Sequence, residues 1–112
     1  MMLRACLAAV LAAILATPLQ AQPQRSWTET KCARYAEAWT QALERFGRQG
    51  LGETFLGRHE AFLASGCRAR PAVCPRSPQE LDIANAMTIA AMNAGAASTF
   101  PPFLCREGDD AG

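Results

Sequence analysis

Four cysteines, Cys32, Cys67, Cys74 and Cys105, constrain this chain more than any other residues in it. A fifth, Cys6, lies in a leading stretch with a different fate. Met1 to Ala21 has one basic residue, Arg4, then the apolar run Cys6 to Ala16 and the short end Thr17 to Ala21. That is the pattern of a cleaved secretory signal peptide, with cleavage expected before Gln22 and an apolar run too short to span a bilayer. The exported chain keeps an even number of cysteines in an oxidising compartment, periplasmic or secreted. A small domain with limited core then reads as one stapled by two disulfides. The domain is expected over residues 22–106, followed by a solvated, disordered tail over 107–112. Loss of Arg4 leaves the exported chain formally neutral, so no nucleic-acid footprint is present.

Four cysteines allow three pairings. The loop-entropy gain is about 7 kcal/mol whether Cys32 pairs with Cys67 or with Cys105, so the choice falls to geometry. Ser26 and Glu29 write a capping box, and from there to Phe46 the residues Cys32, Tyr35, Ala36, Trp39, Ala42, Leu43 and Phe46 share one face. Glu29, Arg34, Glu37, Gln41, Glu44, Arg45 and Arg48 share the other. Gly47, Gly50 and Gly52 end this helix and begin a turn. A second apolar face follows, of Phe55, Leu56, His59, Phe62 and Leu63, stopping at Gly66. Antiparallel packing of the two helices places Cys32 beside Cys67. Cys74 then pairs with Cys105, which requires Thr99 to Leu104 to run back in extended form, as Pro101 and Pro102 favour.

Ser77 to Ala97 reads as one long helix, opened by a Ser N-cap, Pro78 at the first helical position and Glu80 at the third. Gln79, Asp82, Asn85 and Asn93 form a narrow polar stripe. Leu81, Ile83, Ala84, Met87, Ala91, Met92 and Gly95 cover most of the rest, which predicts a central helix with neighbours on two or three sides. Its small residues predict elements packing across it rather than beside it. The polar stripe and the lack of an unbroken apolar run argue against a stable membrane span in the exported chain. The fold class is therefore all-α, a small domain of three to four helices.

Few residues are placed for chemistry. His59, the one histidine, reads first as a core residue with a satisfied hydrogen bond. Its functional alternative is a pH sensor, held neutral by burial. One histidine and four bridged cysteines leave no metal ligand set and no cofactor motif, and Met87 and Met92 read as core. Without a free thiol, a serine elbow or a partner for His59, no catalytic constellation forms, and the chain reads as a non-enzyme. Glu37 with Glu44, and Glu53 with Glu60, lie on solvent-facing stripes.

Two features point to binding. Arg68, Arg70 and Arg76 concentrate charge in the connection after Cys67, stiffened by Pro71 and Pro75, where a pinned guanidinium could grip a carboxylate or phosphate. Ile89 projects into the polar stripe of the long helix, and would form a contact patch if Trp27 or Phe100 lay beside it.

Three motifs together resemble the small exported helical immunity proteins that neutralise type VI secretion effectors. They are Cys32-Ala-Arg-Tyr35 opening a helix, Cys74-Pro75 ahead of Leu81 in a long helix, and the ending Phe100-Pro-Pro-Phe-Leu-Cys105. The chain departs from that pattern in having no cysteine between the signal and Cys32, an additional Cys67, and no proline break in the long helix. The resemblance implies an all-helical, disulfide-bonded inhibitor acting on a protein, and assigns no contact residue. The expectation is a non-catalytic protein-binding or inhibitory module that uses the arginine loop and one end of the long helix. The alternative is a carrier of a small apolar ligand held by Met87, Met92, Phe55 and Phe62.

Overall fold

The computed structural model describes residues 26–106. The signal peptide expected over 1–21 and the tail expected over 107–112 lie outside them. Three helices form: α1 (Trp27–Phe46), α2 (Glu53–Ala64) and α3 (Pro78–Asn93). The fold is all-α, closed by the two disulfides Cys32–Cys67 and Cys74–Cys105.

Local signals set where the helices start. The Ser26 hydroxyl accepts from the Glu29 backbone N–H at 3.1 Å, the forward half of a capping box. At α3 both halves form, with Ser77 accepting from Glu80 and the Glu80 carboxylate reaching back. Gly52 opens α2 with no side-chain cap, which leaves that helix's first N–H groups to a partner from elsewhere.

The helices α2 and α3 both run antiparallel to α1. Cys32, early in α1, meets Cys67, just past α2. At one end of α3 the Ser77 hydroxyl donates to the Gly50 carbonyl, and at the other Arg34 donates to the Ala94 carbonyl. Since α2 and α3 are mutually parallel, the connection between them must travel the length of the molecule. Residues 65–77 make that journey. After a turn closed by the Phe100 N–H on the Ala97 carbonyl, residues 101–106 follow it in the same direction, and 98–106 together form a strap joined by a parallel bridge between Val73 and Phe103. Val73 N–H donates to the Pro102 carbonyl and Leu104 N–H to the Val73 carbonyl. The strap thus returns in extended form, and the backbone it pairs with is the connection.

The core lies where α1, α2 and the strap meet one face of α3. Tyr35, Phe62, Ile83, Met87, Val73 and His59 are fully buried, each apolar one contributing roughly 1.5–3 kcal/mol of burial. The strap adds its aromatics to this core: Phe100 meets Tyr35 and Phe62 edge-on, and Phe103 stacks on Phe55 and His59.

The long helix differs from its expectation in three ways. It stops at Asn93 instead of Ala97, because Gly95 adopts φ +90° and the Ala96 N–H turns back to the Ala91 carbonyl, a left-handed cap that glycine reaches without strain. It buries one face only, Glu80, Ile83, Ala84, Met87 and Ala91, and leaves Leu81 and Met92 about half exposed at 49% and 48%. The strap packs into α1 and α2, so the outer flank of α3 stays open. Finally, α1 lies alongside α3, from the contact of Trp27 with Gly95 to that of Gly50 with Ser77.

Candidate functional site

His59 stands at the centre of the molecule, without solvent exposure. Its Nε2 lies 2.7 Å from the Tyr35 hydroxyl. Trp39 covers it at 3.9 Å between ring centroids, and Phe103 stacks parallel at 5.7 Å. Among the described residues Nδ1 has no hydrogen-bond partner. Burial pushes the His59 pKa down from 6.5 to about 4. Burial also pushes the Tyr35 phenol far above its ordinary range, against a smaller opposing pull from Arg70. Both groups are therefore neutral at physiological pH. With the tyrosine O–H donating to Nε2, Nδ1–H is the donor left without a partner. Enclosed on all sides, the pair holds α1 to α2 and offers nothing to a substrate.

The three arginines of the connection do not act together. Arg70 turns inward over the Phe62 ring and donates to the carbonyls of Phe100, Thr99 and Pro101 at 2.6, 2.8 and 3.1 Å. Its planar fork serves as the anchor of the strap. Arg68 borders a shallow groove of about 330 Å³ with Glu29, Cys32 and Ala33. Arg76 lies at the far end of the molecule, where its backbone N–H donates to Glu80.

At the end of the molecule where α1 begins and α3 stops, a basic and aromatic group assembles on the side of α1 away from the Arg68 groove. Trp27 is 54% exposed and rests against Gly95, where a Cβ would come within 3.0 Å of its ring. The Lys31 ammonium lies 5.9 Å from the Trp27 ring centre and 5.6 Å from that of Phe100. The Arg34 guanidinium lies 5.4 Å from Trp27 and donates to the Ala94 carbonyl at 3.1 Å, where a cation also complements the negative end of α3. Trp27, Lys31 and Arg34 are spaced i, i+4, i+7 on α1, so their shared face was available in the sequence. Their meeting with Phe100 was not.

Ile89 is exposed at 56% on the outer face of α3, as expected. Trp27 is drawn to Gly95 and Phe100 to Tyr35 and Lys31, so neither ring is given to a patch around it. The four residues expected to hold an apolar ligand are split: Phe55, Phe62 and Met87 are core, whereas Met92 sits on the outer surface.

A second concavity, of about 550 Å³, lies at the opposite end between the first turns of α2 and α3. Glu80, only 5% exposed, crosses its floor. One carboxylate oxygen accepts from the Gly52 N–H at 2.7 Å, the other from Arg76 N–H at 2.8 Å and Ser77 N–H at 3.4 Å. One side chain thereby caps its own helix and supplies the partner that α2 lacked. Arg58 and Arg76 also border the cleft, Arg58 donating to the Ala72 carbonyl.

Among the described residues no group of three or more potential ligands is placed to hold a metal ion, and no helix is long and apolar enough to cross a membrane. Comparisons with protein-family models, curated proteins and solved structures found no match to this chain.

Proposed function

We propose that this chain is an exported, non-catalytic protein-binding module that engages an acidic surface of an extracytoplasmic partner through its Trp27 end. One observation carries the reading: a half-exposed tryptophan is held in place by Lys31, Arg34 and the backbone at Gly95. A large apolar side chain fixed at the surface and rimmed by cations has the composition of an interface anchor, since tryptophan and arginine dominate binding hot spots. It is preorganised, so little side-chain entropy remains to be lost on docking. The disulfides suit an oxidising compartment, which supports export to the periplasm or beyond. An inhibitory role follows from the resemblance to type VI immunity proteins.

The test is native mass spectrometry of the protein recovered from its own extracytoplasmic extract, beside a Lys31→Glu variant. Arg70 is left unchanged because it anchors the strap. An adduct of several kilodaltons in the natural protein and its loss in the variant are expected. An adduct that survives the charge reversal refutes this surface.

A further inference from the structure

We infer that the Cys74–Cys105 disulfide is a redox-operated latch: thiol–disulfide exchange at Cys105 releases the end of the strap and uncovers Phe55 and His59 beside the cleft between α2 and α3. The inference is independent of the Trp27 surface, which lies at the other end of the molecule.

The two bridges differ in exposure. Cys32 and Cys67 are both buried, at 8% and 7%. In the second pair Cys74 is buried at 8%, but Cys105 is exposed, as is Leu104 before it. Exchange begins when a thiolate reaches one sulfur of the bridge, so access selects Cys105, and exposed bridges form the labile class. The reductant is a dithiol, such as an extracytoplasmic thiol oxidoreductase presents. Its first thiolate attacks the Cys105 sulfur, which forms a mixed disulfide and expels Cys74 as a thiolate. Its second thiolate attacks the first sulfur of the dithiol and expels Cys105. Two electrons pass: the dithiol leaves as a disulfide, and its two protons end on the thiols of Cys74 and Cys105.

What the bond holds is a short segment. Arg70 grips the carbonyls of Thr99, Phe100 and Pro101, so the strap stays anchored as far as Pro101 with the bridge closed or open. Past that point it is joined by the Val73 N–H to the Pro102 carbonyl, the Leu104 N–H to the Val73 carbonyl, and the Phe103 ring. A closed bridge returns these few contacts to register each time they break. An open one leaves residues 102–106 as a chain end, the part of a fold that opens most readily. Phe103 covers the rings of Phe55 and His59, and Phe55 and Cys74 already line the cleft of about 550 Å³. Departure of Phe103 therefore extends that cleft along an apolar wall to His59.

The experiment treats the exported chain with dithiothreitol, traps free thiols with N-ethylmaleimide over time and locates them by peptide mass mapping. Cys74 and Cys105 are expected to be trapped at least about tenfold faster than Cys32 and Cys67, with the helical circular dichroism retained. In the opened protein the Leu104 amide should exchange faster, and His59, the one histidine, should become open to diethyl pyrocarbonate, while the Trp27 indole resonance stays. A Cys74→Ser/Cys105→Ser variant should give the same exchange and modification without the maleimide. Both bridges opening together overturns the inference, as does Cys32–Cys67 opening first or loss of the helical signal when Cys74–Cys105 alone is open. So does an opened protein or a serine variant in which either Leu104 or His59 stays as protected as in the natural chain.

Discussion

A histidine whose imidazole is sealed between Trp39 and Phe103, with one nitrogen bonded and the other orphaned, makes stability depend on pH. The unfolded chain takes up a proton near pH 6.5, while the folded chain resists it until about pH 4. Between those values the unfolded state binds more protons, so stability is full above the upper value and falls with acidification towards the lower one. From pH 7 to pH 5, above most carboxylate titration, the expected loss is about 2 kcal/mol. Urea unfolding at the two pH values measures it. His59→Gln lowers stability at both but should abolish most of the difference; an undiminished difference would place the effect on other groups.

Among the elements, the strap is the one whose structure depends most on distant partners. Its two backbone hydrogen bonds to Val73 do not make a sheet, and apart from the Cys74–Cys105 disulfide its hold on the core rests on Phe100, Phe103 and the Arg70 fork. Replacing Arg70 with Ala leaves three carbonyls without their donor and should cost about 2 kcal/mol, hydrogen bonds from charged groups being the stronger class. Arg70→Lys keeps the charge but not the planar fork, and should recover less than half of that loss. Amide exchange at Leu104, whose N–H is held by the Val73 carbonyl, reports the strap directly. If Leu104 exchanges equally in natural and Arg70→Ala proteins, the strap is held by its aromatics and the Cys74–Cys105 disulfide without Arg70.

At the scale of the molecule, the two disulfides close separate loops of similar length, with sequence separations of 35 and 31. Each should contribute roughly 4 kcal/mol by restricting the unfolded chain. The loops do not overlap, so the contributions should add. A small domain has about 5–15 kcal/mol in total. Replacing either pair with serines is expected to leave a folded protein with a lower Tm, and replacing both to leave an unfolded one, as read by circular dichroism. A four-serine chain that still melts cooperatively would show that the helices carry the fold without their staples.

Sequence alone determined the starts of α1 and α3, the buried face of α1 except for Phe46, which is exposed, the burial of His59 and, through antiparallel packing, the pairing of Cys32 with Cys67 and Cys74 with Cys105. These rest on signals within a turn or two of each residue, or on the direction of neighbouring helices. Tertiary structure decided the rest. Glu80 was readable as a cap for its own helix, but not as the partner of Gly52, because that contact requires the turn after α1 to be brought onto α3. The arginine cluster dispersed because extended chain carries Arg76 away from Arg68 and the strap carbonyls claim Arg70. Leu81 and Met92 stayed exposed because the strap chose the other side of the core. The Trp27 surface joins Arg34 to a carbonyl sixty residues away. Periodicity can place an amphipathic face on a helix, but which element covers it is settled by the long-range packing of the whole chain.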